Sequence, residues 1–127
     1  MANHYCQALV ITCIDFRFQE YIDRWINENF QPGSFDRVAL AGGVKNLGLI
    51  LEQIRTSSRL HNISRAILIN HEDCGAYGAE NILDQAAEVK RHTEDLKTAA
   101  ERIKTDLPNL SVDTYYLHLN GTFEKVA

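Results

Sequence analysis

Short apolar runs alternate with helix-forming segments along the whole chain, and this alternation is the feature that most constrains its fold. Three runs are continuously apolar at their centres, which is typical of strands buried on both faces of a sheet; they lie at residues 8–12, 35–41 and 66–69. A fourth run, residues 111–119, alternates and is rich in aromatic residues. The chain therefore predicts four main strands separated by helical segments.

The segments between these runs have the patterns of helices. Residues 18–30 and 46–60 place apolar side chains at three- and four-residue spacing, which marks one buried face. Residues 79–107 are rich in Ala, Glu, Lys, Gln and Leu, and form either one helix or two with a break near residues 91–93. Candidate core contacts in this last segment are Ile82, Leu83, Ala86, Leu96, Ala99, Ala100 and Ile103.

This β-α-β-α-β-α-β order predicts an α/β fold with a mostly parallel sheet of four to five strands and helices on both faces. With the strands in the order 2-1-3-4, the strand order reverses between strands one and three, where the loops at the carboxyl ends leave a crevice for a ligand. A chain of 127 residues, 45% of them hydrophobic, has enough apolar surface for one core, so we expect a single domain over residues 1–127.

Charge, apolar run lengths and cysteine count exclude several classes of partner. The net charge of −4 and the pI near 5.7 disfavour a nucleic-acid partner. No run approaches the roughly 20 apolar residues of a membrane span, and the start lacks the pattern of a signal peptide, so we expect a cytoplasmic protein without a membrane partner. The odd cysteine number, Cys6, Cys13 and Cys74, indicates reduced thiols that are free to bind a metal.

Reactive side chains follow two of the predicted strands at the point where each strand ends. Cys13 comes directly after the first strand, and His71 and Cys74 follow the third. Because these two strands are expected to be neighbours, the three side chains converge at one edge of the sheet. Two thiolates and one imidazole are a typical protein ligand set of catalytic zinc, and such donors favour zinc over magnesium or calcium without excluding iron or cobalt.

Each of these residues taken alone has a simpler interpretation. A buried Cys13 on its own behaves as a small hydrophobic residue. The motif formed by His71 and Cys74 is short, so an ordinary surface histidine near a cysteine would also match it. Asp15 and Arg17 lie two residues apart, so they point the same way on an extended segment and form at least a surface ion pair. The expected convergence of Cys13, His71 and Cys74 nevertheless favours a metal site. In that site Arg17 would hold the Asp15 carboxylate beside a metal-bound water.

The remaining charged and imidazole groups receive no role in this predicted site. Glu72 and Asp73 are interpreted as solvated loop or helix-cap groups, because carboxylates are favoured near the start of a helix. His61, His92 and His118 lie in or near predicted helices and strands, and none of them is predicted to supply a fourth ligand.

Glycines lie beside both candidate segments. Gly75 and Gly78 are expected to supply the backbone freedom that lets the histidine and cysteine side chains reach one metal. The pair Gly42-Gly43 predicts a close backbone approach or an unusual turn. No nucleotide site is predicted, because neither glycine-rich phosphate-binding motif is present.

Two motifs in the chain resemble those of a known family. Residues 13–17 read Cys-Ile-Asp-Phe-Arg and residues 71–75 read His-Glu-Asp-Cys-Gly. Together they are similar to the Cys-x-Asp-x-Arg and His-x-x-Cys-Gly signatures of the β-class carbonic anhydrases. The spacing of the two motifs and the Ala-Gly at residues 41–42 extend the resemblance over most of the chain.

The resemblance implies a role for each candidate residue. Cys13, His71 and Cys74 would bind one zinc ion per chain, and Asp15 with Arg17 would form the catalytic pair beside it. The implied activity is the reversible hydration of carbon dioxide to bicarbonate by a metal-bound hydroxide. The implied assembly is a homodimer or a higher homo-oligomer of a zinc-binding α/β domain.

Two alternative functions follow from the same motifs. A carbon disulfide or carbonyl sulfide hydrolase would use the same zinc site on a heavier substrate. A non-catalytic zinc-binding protein would keep the metal and the fold, and one departure bears on this alternative. Residues 38–42 read Val-Ala-Leu-Ala-Gly, whereas the family commonly has Arg-Asn-Ala-Gly at the end of this strand.

Overall fold

A five-stranded, mostly parallel sheet forms the centre of the protein, as seen in a computed structural model that describes residues 4–78 and 84–126. The strands are β1 Ala8–Thr12, β2 Phe35–Ala39, β3 Arg65–His71, β4 Ser111–Leu117 and the short β5 Phe123–Lys125. Their order in the sheet, β2-β1-β3-β4-β5, confirms the predicted order 2-1-3-4. The first four strands are parallel, and β5 is antiparallel to β4.

The helices are α1 Gln19–Asn29, α2 Leu47–His61, the single turn α3 Gly75–Gly78 and α4 Gln85–Asp106. Both ends of α1 and α2 and the end of α4 lie within one residue of the predicted boundaries, but α4 begins six residues after the predicted start at residue 79. Asn46 accepts a hydrogen bond from Leu49 N at the start of α2, and Asp84 accepts one from Ala87 N at the start of α4, so both helices have side-chain caps. Among residues 4–78 and 84–126, no helix combines the length and apolar composition of a membrane span.

Helix α4 is continuous through residues 91–93, so the alternative of two helices is wrong. Of its predicted core contacts, Leu96, Ala99 and Ile103 are buried, whereas Ala86 is exposed. The start of the predicted segment at residues 79–83, with the candidate contacts Ile82 and Leu83, lies outside the described residues.

Both faces of the sheet are covered, which explains why its central strands are continuously apolar. Successive residues of β1 and β3 point to opposite faces, so each strand contributes to both layers. One layer packs against α2 and α4 and includes Leu9, Ile11, Ile50, Ile54, Leu68, Leu96 and Ile103. The other packs against α1 and includes Val10, Phe18, Ile22, Ile26, Ile67 and Ile69.

The turn after β2 brings the backbone close to β3, as the glycine pair predicted. Gly42 and Gly43 both have positive φ, at 85° and 58°. A Cβ atom on Gly43 would lie far inside van der Waals contact with Asn70 Oδ1, which accepts a hydrogen bond from Val44 N at 3.1 Å. The close approach at Gly43 therefore leaves no space for a side chain.

Replacing Gly43 by alanine is expected to destabilise the protein by about 2–4 kcal/mol, because the substitution adds left-handed strain and displaces a buried hydrogen bond. Gly48→Ala is the matched control: its Cβ would meet nothing nearer than Asn46 Oδ1 at 3.9 Å, and alanine favours the helix there. Urea denaturation measures both changes in the free energy of unfolding. Equal stabilities of the two variants would contradict the close approach at Gly43.

Candidate metal centre

The carboxyl ends of β1 and β3 bring together the three predicted ligands. The strands are parallel neighbours, with Ile11 opposite Leu68, so Cys13 just after β1 lies near His71 at the end of β3. The Sγ atoms of Cys13 and Cys74 are 4.0 Å apart, and the donor atoms of all three residues lie within 4.8 Å of one another. All three side chains are buried.

His71 has one imidazole nitrogen satisfied and the other without a partner. Its Nδ1 lies 2.7 Å from Glu72 O and donates to that carbonyl, which leaves the lone pair on Nε2. Nε2 is buried and has no hydrogen-bond partner among the described residues. The Phe18 ring, whose centroid is 4.2 Å from that of the imidazole, helps to fix its orientation.

The geometry and chemistry of this donor set fit a metal ion. A buried polar atom without a partner costs about 1–3 kcal/mol, and a cation between the two sulfurs and Nε2 would remove that cost. Tetrahedral zinc with bonds of about 2.3 Å to sulfur requires two sulfurs about 3.8 Å apart, close to the observed separation. The carbonyl bound at His71 Nδ1 is also the usual outer partner of a metal-binding histidine.

The two cysteines differ in their tendency to ionise. Their mutual hydrogen bond lowers the pKa of Cys13 and raises the pKa of Cys74, so Cys13 carries the negative charge when no cation is bound. Gly42 N lies 3.4 Å from Cys13 Sγ and donates to it, which further favours the thiolate. Cys13 is therefore prepared as an anionic sulfur donor.

Asp15 and Arg17 form the predicted pair at the edge of this site. Arg17 donates from Nε to Asp15 Oδ1 at 3.1 Å and from Nη2 to Oδ2 at 2.8 Å, a bidentate contact. The side-chain hydrogen bonds from Arg17 lower the pKa of Asp15, which keeps the carboxylate ionised. Asp15 Oδ2 lies 3.8 Å from His71 Nε2, so a negatively charged oxygen is next to the unpartnered nitrogen.

Asp73 and Glu72 have more specific contacts than the sequence analysis assigned to them. Asp73 is exposed, as a loop group should be, but it binds Arg17 through its carboxylate at 3.0 Å and its carbonyl at 2.8 Å. Glu72 accepts a hydrogen bond from Leu119 N at 2.8 Å, so it joins the ends of β3 and β4. Among the described residues neither carboxylate accepts a hydrogen bond from a backbone N–H of a helix, so the helix-cap alternative is wrong, whereas the alternative of a solvated loop group holds for Asp73.

The prediction that Gly75 and Gly78 supply the backbone freedom of this loop is also wrong. Gly75 and Gly78 do not have positive φ, and a Cβ on Gly75 would meet no described atom within 4 Å. The left-handed residue is Asp73, with φ of 56°. Aspartate tolerates this conformation better than most residues, so the tight turn between His71 and Cys74 depends on Asp73.

A buried polar network behind Cys74 escaped the sequence analysis. Glu88 Oε1 accepts a hydrogen bond from Cys74 N at 2.7 Å and lies 3.1 Å from Nε2 of the fully buried His92. His92 Nδ1 accepts from Asn70 Nδ2 at 2.8 Å, and Asn70 also donates to Tyr77 OH at 3.1 Å. The spacing of Glu88 and His92 predicts that they touch on one helix, but no pattern connects them to Cys74.

Sequence comparison gives a match over nearly the whole chain. A family model described as "Putative carbonic anhydrase" matches residues 3–127. An uncharacterised protein of Rickettsia bellii is 32% identical over 134 aligned residues, which cover 94% of this chain and 80% of that protein.

Comparison with solved structures gives the same fold. A carbonic anhydrase from Glaciozyma antarctica is 17% identical with a TM-score of 0.70, and the match covers 100% of this chain and 85% of that one. The apo form of a carbon disulfide hydrolase is 16% identical with a TM-score of 0.69, covering 97% and 79%. At these identities the similarity shows the fold alone.

Proposed function

The chain belongs to the "Putative carbonic anhydrase" family, and on that premise we propose that it is a zinc-dependent lyase that hydrates carbon dioxide reversibly to bicarbonate. One observation supports this most strongly: the buried, unpartnered Nε2 of His71 lies beside two cysteine sulfurs and the ionised Asp15. We place the enzyme in the cytoplasm, where its thiols remain reduced.

Cys13, His71 and Cys74 would hold the zinc ion, one per chain. Zinc bound there supplies a Lewis acid that lets water act as a nucleophile near neutral pH. Three protein ligands leave one position open, and the carboxylate of Asp15 lies beside the ligand nitrogen.

Asp15 orients the O–H group of the reacting water. Its carboxylate is ionised, so it accepts a hydrogen bond and cannot donate one. Arg17 maintains this state, since it lowers the pKa of Asp15 below the ordinary value of about 3.9. Asp15 is therefore an acceptor near neutral pH, and its titration does not limit activity there. Arg17 is itself fixed by Asp73, which limits the movement of the pair.

Glu88 is proposed to position the Cys74 ligand through the amide of that residue. Glu88→Ala leaves a buried N–H without its acceptor and is expected to weaken zinc binding by roughly 10- to 100-fold. Glu88→Gln keeps an oxygen that can accept from both Cys74 N and His92 Nε2, so its affinity should remain close to that of the wild type. Competition with a chelator measures both affinities, and tight zinc binding by Glu88→Ala would contradict the proposed role.

Carbon disulfide hydrolysis is the second candidate activity. The fold is as similar to the carbon disulfide hydrolase as to the carbonic anhydrase, with TM-scores of 0.69 and 0.70, so the fold does not discriminate between them. Stopped-flow hydration of carbon dioxide and sulfide release from carbon disulfide, measured on one zinc-loaded preparation, distinguish the substrates. Turnover of carbon disulfide alone would support the alternative, and turnover of neither would support a non-catalytic zinc protein.

We also propose that the enzyme is a homodimer or a higher homo-oligomer. Ile14 and Phe16, on either side of Asp15, are 58% and 86% exposed. Exposed apolar side chains grouped at one place mark a surface that binds a partner chain or a ligand, and we assign this surface to a second copy. A second copy seated there would shield the site from bulk water.

A further inference from the structure

A second cluster of potential metal ligands lies at the amino-terminal ends of the strands. Cys6 precedes β1, Asp36 is on β2, and His61 is the last residue of α2. Their Sγ, carboxylate oxygen and imidazole nitrogen lie within 4.8 Å of one another. Three different donor types from three separate segments therefore converge at one point.

Existing contacts hold these donors in position. His61 Nδ1 lies 2.6 Å from Asp36 Oδ2, and Ser57 Oγ donates to the same oxygen at 2.7 Å. Cys6 N donates to His61 O at 2.9 Å, which ties the segment before β1 to the end of α2. The cysteine thiol makes a long contact of 3.6 Å with Ala8 O. The cluster is thus arranged by contacts that do not depend on the thiol.

We propose that Cys6, Asp36 and His61 form a second metal site, which binds a divalent transition metal such as Zn²⁺ or Co²⁺. Sulfur and imidazole donors suit these ions, whereas magnesium and calcium prefer oxygen ligands. A thiolate and a carboxylate this close repel each other unless a cation lies between them. Binding releases the proton of the Cys6 thiol, because the thiolate is the form of cysteine that coordinates a metal.

This second site is independent of the first. Cys6 and Cys13 lie at opposite ends of β1, about 20 Å apart along an extended chain. All three donors are half-buried, so a cation reaches them from solvent. Because a carboxylate replaces one of the two thiolates, zinc binds here more weakly than at the Cys13 site. An ion at this place would join the chain before β1 to β2 and α2.

Metal stoichiometry tests the proposal. The full chain is stripped with a chelator, dialysed against zinc buffered at about 1 µM free ion, and assayed for bound metal by mass spectrometry. We expect two ions per chain in the wild type and one in each of Cys6→Ser and His61→Gln. His118→Gln, which makes the same chemical change outside the cluster, should retain two. Asp36→Asn provides a further variant if one of the first two fails to fold, as judged by circular dichroism.

Each stoichiometry has a defined meaning. One ion in the wild type that is also present in His61→Gln would overturn the second site. Two ions in the wild type, in Cys6→Ser and in His61→Gln would show that the second ion binds elsewhere, and this result would also overturn the second site. One ion in the wild type that is absent from His61→Gln would support the second site and contradict the site at Cys13.

Discussion

Cys74→Ser is expected to lose its zinc and at least about 10³-fold in carbon dioxide hydration activity. A serine hydroxyl is a poor ligand for zinc compared with a thiolate, and two remaining side chains do not hold the ion. The loss should appear at about 1 nM free zinc, where only the tighter site is filled, as less than one ion per chain. Bound metal by mass spectrometry and stopped-flow hydration measure the two effects.

Cys6→Ser is the matched control, since it makes the same change at the third cysteine. At about 1 nM free zinc it should retain one ion per chain and the wild-type activity, because Cys6 lies at the other end of β1. Stoichiometric zinc and full activity in Cys74→Ser would contradict the ligand assignment. Loss of activity in Cys6→Ser would also contradict it.

Asp15→Asn is expected to lower activity by about 10²-fold while the zinc content stays unchanged. The amide keeps one oxygen, but it loses the negative charge that makes Asp15 an acceptor beside His71 Nε2. The NH₂ group of the asparagine would face an N–H donor of Arg17, and two donors cannot form a hydrogen bond. The bidentate contact is therefore lost. Hydration rates and zinc content of one preparation separate an effect on the reaction from an effect on metal binding.

Asp73→Asn is the control for this change, because Asp73 is the other carboxylate that binds Arg17. Its side chain is 69% exposed and asparagine tolerates its positive φ, so we expect activity within about threefold of the wild type. An Asp15→Asn enzyme with wild-type activity would exclude the orienting role. Equal losses in both variants would indicate that the charge balance around Arg17 matters, and not the position of Asp15.

The central sheet and its ligand edge were predictable because burial on both faces leaves a direct trace in the sequence. Residues 8–12 and 66–69 are apolar without alternation, and each run ends where chemistry-bearing residues begin. Parallel neighbours place those ends together, so Cys13 and His71 converge without any knowledge of the loops. The short β5 has only three residues, too few for a periodic signal.

The contacts around the ligands could not be predicted, since they depend on loop conformation and on distant segments. Asp73, one residue before Cys74, takes the left-handed conformation in this turn, whereas the sequence analysis expected Gly75 and Gly78 to supply its backbone freedom. Glu88 reaches Cys74 N from the first turns of α4, fourteen residues away along the chain. Neither contact has a spacing that distinguishes it from an ordinary surface carboxylate.

Zinc-edge X-ray absorption on the protein loaded with one equivalent of zinc tests the proposed metal centre most directly. The assignment to Cys13, His71 and Cys74 predicts two sulfur neighbours at about 2.3 Å and nitrogen or oxygen neighbours at about 2.0–2.1 Å. Asp15→Asn should give the same spectrum, because its carboxylate is not among the three ligands. A single sulfur neighbour, as expected for an ion at Cys6, or none at all, would contradict the proposed centre.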